Sequence, residues 1–280
     1  MSDEYTIRPF ETIEEYRECV ALQEDTWGHG FSERVAPAIL KVSQILGGVA
    51  AGAYDRQGTL TGFVFGMTGL RDGELAHWSD MLAVRPEGRD SGLGTRLKAY
   101  QRDEVLSRGV ETMYWTFDPL QSRNAYLNFN KLGIVVREYV RDMYGQTDSP
   151  LHAGIGTDRF IAHWELTSDR VAERLAAALA GERATTDSAE SEPVGLALEA
   201  ETSGAHPTPG EPRLDVGNES VGVQIPSDVV SLMRDDLELA RTWRSVTRAT
   251  FTHYLANDLE VRELLRGDAT ATYVMAPRPA

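Results

Sequence analysis

Residues 81–97 read Met-Leu-Ala-Val-Arg-Pro-Glu-Gly-Arg-Asp-Ser-Gly-Leu-Gly-Thr-Arg-Leu, an apolar β-rich run that passes through a glycine-bearing loop into a helical pattern. Such a turn aims successive backbone N–H groups and the positive end of the helix dipole at one point, which suits a diphosphate. Gly92 and Gly94 let the backbone approach a ligand closely, and Arg89 can add a counter-charge. The spacing separates this loop from better-known ones. Leu97 stands where G-x-G-x-x-G needs its third glycine, and no G-K-[ST] follows. A plain strand-to-helix turn is the bland alternative.

A second run, N-F-N-K-L-G-I at 128–134, lies downstream. Together with the strand end L-A-V-R-P at 82–86 and the loop R-D-S-G-L-G at 89–94, it resembles the GNAT superfamily of acyl-CoA-dependent N-acyltransferases, whose corresponding helix ends in Y-E-K-L-G-F. The resemblance covers most of residues 5–166. It implies an α/β (α+β) fold with a mixed, mostly antiparallel central sheet flanked by helices. It also implies acetyl-CoA or another acyl-CoA as co-substrate, and no metal. Arg89, Asp90, Ser91, Gly92, Leu93 and Gly94 would wrap the diphosphate, while the backbone of Met81, Leu82, Ala83 and Val84 pairs with the pantetheine arm like an added strand. A splay between this strand and the next would admit the thioester, and an N–H near Leu82 would stabilise the oxyanion. One position departs from the family: Phe129 stands where its general acid is a Tyr, and has no proton to give. Tyr126, Asn128 and Asn130 are substitutes by proximity in sequence, and the amide of Asn124 is placed to bond the pantetheine.

An amine that attacks a thioester must lose a proton, so a base, or a water held by one, belongs near the splay. Asp80 precedes the pantetheine strand and, by alternation, points to the face opposite Met81. Asp118 ends the neighbouring β-rich run, before Pro119, where capping a turn is as natural a role as catalysis. His77 and Glu74 are further candidates. His152, His163 and His206 are isolated, as solvated or core histidines usually are.

Alternating strand and helix patterns position these residues. Residues 5–10 read as a strand, and Thr12 with Glu15 three positions on has capping-box spacing for a helix to about residue 27. A helix over 35–46 precedes three strand-like runs, 49–54, 60–67 and 76–84, joined by short polar turns and hence an antiparallel meander. A helix over 92–108 stops at Gly109. A strand at 112–117, a helix at 122–132, strands at 134–143 and 160–166, and a short helix at 169–180 complete an α/β layout around a mixed sheet.

Composition shifts after residue 166. Residues 181–220 hold nine Asp or Glu, two Arg and nine Gly or Pro, a mixture too poor in large apolar side chains to offset ordering entropy. The expected organisation is therefore an acyltransferase-like domain over 1–166, a short helix over 167–180, a flexible acidic linker over 181–220, and a C-terminal helix and hairpin over 221–280 packed on the first domain. The terminal piece predicts one helix over 227–256 and strands at 261–265 and 271–275. Arg244 and Arg248 fall in or beside its apolar arc, so each needs an anionic partner. Protein carboxylates are one source, and the carboxylate of a substrate or of a dicarboxylic acyl group is the other.

With 43 Asp and Glu against 28 Lys and Arg, the 280-residue chain carries a net charge of −15. That sign argues against a bulk nucleic-acid binder and suits a cationic acceptor. Cys19 is the only cysteine, so neither an intrachain disulfide nor a cysteine zinc site can form. The longest apolar window, 45–53, is broken by three glycines, so neither a secretory leader nor a membrane span is expected, and a cytoplasmic setting fits. The leading functional reading is acyl transfer to a small-molecule amine, such as an amino acid, by direct attack on the thioester. Protein N-acetylation and a non-catalytic CoA-binding sensor or interaction module stand as alternatives. A homodimer is one assembly open to the chain.

Overall fold

The computed structural model describes residues 4–29, 31–89, 91–145, 154–182, 193–217 and 219–279. Along the chain run β1 (Thr6–Pro9), α1 (Ile13–Trp27), α2 (Pro37–Ile45), β2 (Val49–Tyr54), β3 (Leu60–Arg71), β4 (Glu74–Val84), α3 (Leu93–Leu106), β5 (Thr112–Phe117) and α4 (Ser122–Tyr126). They are followed by β6 (Val135–Val140), β7 (Arg159–Glu165), α5 (Asp169–Leu179), β8 (Gly195–Leu198), β9 (Ala200–Glu201), β10 (Thr208–Pro209) and β11 (Val221–Pro226). The last elements are α6 (Val229–Asp235), α7 (Leu237–Ala256), β12 (Leu259–Arg266) and β13 (Thr270–Pro277). The chain forms two compact units, Met1–Trp115 with Trp164–Glu182, and Thr116–His163 with Arg183–Ala280.

In the first unit the strand order is β1-β2-β3-β4-β5. Pairing is antiparallel through β4, with short turns joining β2 to β3 and β3 to β4 and the α1–α2 segment joining β1 to β2, and parallel between β4 and β5, which are joined by the α3 crossover. The tight β3–β4 turn uses left-handed backbone at Asp72 and Gly73. The predicted capping box starts α1: Glu15 N–H donates to Thr12 Oγ1 at 3.3 Å and Thr12 N–H to Glu15 Oε2 at 3.2 Å. Tyr16, Cys19, Leu22, Leu40, Phe63, Phe65 and Met81 form the core between these helices and the sheet.

In the second unit the order is β7-β6-β12-β13-β11-β8, antiparallel except for the parallel β11–β8 pair. Its core is aromatic: Phe160 lies 4.7 Å from Phe251 and 5.6 Å from Phe117, centroid to centroid, and Tyr273 lies 5.3 Å from Phe251. Edge-to-face packing of this kind adds to the area burial of each ring.

Three expectations on organisation change. First, the C-terminal segment shares a unit with residues 116–163, because β12 adds to β6 at Val261↔Val136. A boundary at residue 166 therefore does not describe the packing. Second, residues 193–217 are not a free linker. β8 pairs with β11 and buries Ala197 and Leu198, Trp243 Nε1 donates to the Pro207 carbonyl at 2.9 Å, and Tyr254 Oη donates to that of Arg213 at 2.8 Å. Backbone groups anchor this stretch, so its lack of large side chains misled the compositional reading; residues 183–192 and 218 lie outside the described residues. Third, the helix expected over 227–256 is two. Asp236 interrupts it in an extended conformation (φ −149°, ψ 89°) and its Oδ1 accepts the Leu239 N–H at 2.9 Å, so one residue closes α6 and caps α7.

Candidate active site

The glycine loop and the free edge of β4 lie together in the first unit. β4 pairs with β3 along its whole length, Gly62↔Val84 to Arg71↔Glu74, whereas its ladder to β5 comprises His77↔Met113 and Trp78↔Tyr114. From Ser79 onward the β5-facing edge of β4 is outside a ladder. The strands diverge next to a bulge: Ser79 opposes Gly66 and Met81 opposes Phe65, which leaves Asp80 as the extra residue. A bulge of this type turns a side chain out and bends the strand. Here Asp80 is turned to solvent while Ser79 and Met81 on either side are buried. Although open to water, Asp80 is closely walled by protein, and its pKa is raised by that burial and then by the negative charge of Glu33.

Past Val84 the chain turns at residues 86–88 and reaches Gly92, which adopts left-handed backbone (φ 81°, ψ 2°) and starts α3 without a side-chain cap. Among the described residues no side chain caps the first N–H groups of α3. A Cβ on Gly92 would meet nothing within 4 Å, and one on Gly94 would meet only Leu82 Cδ2 at 3.8 Å. Internal packing therefore does not demand either glycine for space, and the room above Gly94 fits a close-approaching ligand. Leu93 and Leu97 are buried and seat the helix; Leu93 offers a ligand only its backbone. Arg89 is exposed, with Nε donating to the Val84 carbonyl at 3.3 Å, and Ser91 Oγ donates to the Gly88 carbonyl at 2.7 Å. Asp90 lies outside the described residues.

Sequence reasoning missed a buried polar chain behind the bulge. Lys98 Nζ donates to Ser79 Oγ at 2.7 Å, which donates to Gln101 Oε1 at 2.9 Å; Gln101 Nε2 lies 3.0 Å from His77 Nε2, and His77 Nδ1 lies 2.9 Å from Thr68 Oγ1. Thr68 donates its own hydrogen to the Gly47 carbonyl at 2.8 Å. The network therefore assigns His77 the Nδ1–H tautomer, donating to Thr68 and accepting from Gln101. Burial, with Lys98 and Arg108 behind it, lowers the His77 pKa to about 3, so this histidine is neutral and both its nitrogens are engaged. Gly66 makes the arrangement fit, since a Cβ there would stand 2.2 Å from His77 Nε2 and 2.8 Å from Gln101 Nε2. The signal in the sequence was slight: one of only three lysines, one position beyond Leu97 on a helix otherwise read by its apolar residues.

The remaining candidates lie in the second unit. Asp118 is buried; its two oxygens lie 2.7 and 2.6 Å from one terminal nitrogen of Arg244, and Oδ1 also accepts the Leu120 N–H at 2.8 Å. Arg248 donates to Asp158 through Nε at 2.7 Å and NH2 at 2.8 Å. Both arginines thus have protein carboxylates as partners, which removes the need for a substrate carboxylate and gives Asp118 a structural ion pair to hold. Phe129 is fully buried, 6.0 Å from Phe117 and 5.7 Å from Tyr273. It lies in a π-helical turn, residues 127–131, that continues α4. The Tyr126 ring lies under the Arg266 guanidinium at 4.9 Å, and Asn124 Oδ1 accepts from Asn128 at 3.5 Å. Among the described residues no cluster of three or more His, Cys, Asp or Glu is arranged to hold a metal ion, and no helix is long and apolar enough to cross a membrane.

No family model matches the chain, and no curated protein matches it. Solved structures similar to it include acetyltransferases. A NatC complex bound to Gag peptide and CoA is 17% identical over 59% of this chain and 99% of that one, with a TM-score of 0.47. The ribosomal-protein-S18-alanine N-acetyltransferase from Escherichia coli is 19% identical over 59% and 95%, TM-score 0.45. A GNAT-superfamily phosphinothricin acetyltransferase from Sinorhizobium meliloti in complex with AcCoA is 14% identical over 57% and 87%, TM-score 0.46.

Proposed function

We propose that this chain is an acyl-CoA-dependent N-acyltransferase that moves an acetyl or related acyl group to the amine of a cationic small molecule. One observation carries the reading: the unladdered edge of β4 leads into a glycine loop and an uncapped helix N-terminus. An open strand edge takes an extended, amide-bearing chain as an added strand. A helix N-terminus behind a glycine loop takes phosphate. The two in series fit CoA, whose amide-bearing arm is joined to a diphosphate. Arg89, Asp90, Ser91, Gly92, Leu93 and Gly94 would hold the diphosphate, and the backbone from Met81 to Val84 the arm.

CoA supplies the acyl group as a thioester, and the chain supplies the groups around its carbonyl. An N–H near Leu82 takes the oxyanion charge. Asp80 receives the proton of the attacking amine, a role that its raised pKa and exposed position suit. Asp80 and Glu33 together favour an acceptor that arrives as a cation. Calorimetry with CoA, followed by thiol release from acetyl-CoA with a panel of amines and short peptides, tests the reading. Binding of CoA and turnover with a cationic amine are expected. Turnover with peptides alone would move the acceptor class to protein N-termini, and absence of CoA binding would overturn the reading.

A further inference from the structure

Lys98 is one of the most unusual residues in the first unit. The residue is 5% exposed, and its ammonium bridges the two strands at the point where they part. On the β4 side it donates to Ser79 Oγ at 2.7 Å, next to the Asp80 bulge; on the β5 side Nζ stands 3.7 Å from the centroid of Trp115, one residue past the last ladder pair. Gln101 Oε1 lies at 3.5 Å. Among the described residues no carboxylate pairs with Lys98. A buried ammonium without an anion costs several kcal/mol, so the residue is poorly explained by stability.

We propose that Lys98 is the acid that gives a proton to the sulfur leaving in acyl transfer. The inference rests on the acyl-CoA reading above and supplies the donor that Phe129 lacks. In the step, the acceptor nitrogen forms its bond to the carbonyl carbon and releases its proton to Asp80. The C–S bond breaks with its electron pair going to sulfur, and sulfur takes a proton from the Lys98 ammonium. The neutral amine left behind is reprotonated from solvent after the thiol departs.

The surroundings suit the role. Burial lowers the Lys98 pKa well below the usual lysine range, so its ammonium gives up a proton more readily than an exposed lysine does. The groups facing it are Ser79 and neutral His77 on β4, Gln101 on α3 and Trp115 on β5; Arg102, one turn along α3, turns onto the Leu166 carbonyl at 2.6 Å. None of them supplies a competing negative charge.

The test compares CoA with desulfo-CoA, which keeps the diphosphate and the amide arm but has no sulfur. Calorimetry gives the affinity of each, and ultraviolet titration gives the ionisation of the bound thiol. In wild type the bound thiol is expected to ionise about one pH unit or more below free CoA, tenfold in equilibrium constant. In Lys98→Met the shift should vanish while desulfo-CoA affinity changes less than about twofold. A direct reading that needs no variant is the nitrogen NMR spectrum of the lysine side chains. With only three lysines, Lys41, Lys98 and Lys131, the Lys98 signal should move on addition of CoA and stay put with desulfo-CoA. If neither ligand binds wild type, the acyl-CoA reading falls. If both bind but the thiol is unshifted, or Lys98 responds equally to both, the reading stands and the proton-donor role of Lys98 is overturned.

Discussion

Replacing Gly94 by glutamate should raise the stability of the protein and at the same time remove its affinity for CoA. The two effects come from different parts of the structure. Gly94 is the second residue of α3 and its backbone is not in the left-handed region; a Cβ there meets only Leu82 Cδ2, at 3.8 Å. Glutamate is a better helix former than glycine by about 0.5 kcal/mol, and a carboxylate in the first turn of a helix adds roughly 0.3–1 kcal/mol. A gain of about 1 kcal/mol corresponds to a rise in Tm of about 2–4 °C. The same carboxylate would occupy the space assigned to the diphosphate. At about 4 Å and an effective dielectric of about 20, one pair of like charges costs about 4 kcal/mol, which is about a thousandfold in Kd. Solvent access at the loop reduces this, so a loss of roughly 30- to 1,000-fold is expected. Gly94→Ala is the control, with similar stability and a smaller loss. Thermal denaturation and calorimetry with CoA on the same preparations check both signs. Unchanged CoA affinity in the glutamate variant would refute the placement of the diphosphate, and a fall of several degrees in Tm would refute the claim that the site above Gly94 is open.

Arg244→Met should destabilise the fold by about 3–5 kcal/mol in chemical denaturation, because Asp118 would remain buried without its counter-charge. Adding Asp118→Asn should recover much of that loss, and a loss below 1 kcal/mol in the single variant would show that the pair contributes little. Phe129→Tyr should leave kcat unchanged or lower it, since the ring is fully buried among Phe117 and Tyr273 and a new hydroxyl would need a partner. A gain of about tenfold, 1.4 kcal/mol of barrier, would mean the position is a vacant acid site after all. Asp80 must be ionised to accept a proton, and its raised pKa puts the acidic limb of kcat/KM above the ordinary carboxylate range. Glu33→Gln should shift that limb to lower pH by removing a like charge, and a limb that survives Asp80→Asn would exclude Asp80 as the base.

The short-range features of this protein are legible in its sequence because their causes are short-range. The Thr12–Glu15 capping box, the turns of the meander and the glycine loop that opens α3 each depend on residues a few positions apart, and the elements through α5 follow the expected order. Charge and burial at a distance are different. Asp118 and Arg244 are 126 positions apart, and nothing local distinguishes an aspartate that caps a turn from one that neutralises a buried guanidinium. The anchoring of residues 193–217 rests on backbone groups meeting β11 and α7, which composition does not record. Lys98 reads from sequence as one more polar residue on a helix. Only the tertiary structure brings Ser79 and Trp115 to either side of it. Desolvation is a property of the whole neighbourhood, assembled from β4, β5 and α3, and it is desolvation that turns an ordinary lysine into a candidate acid.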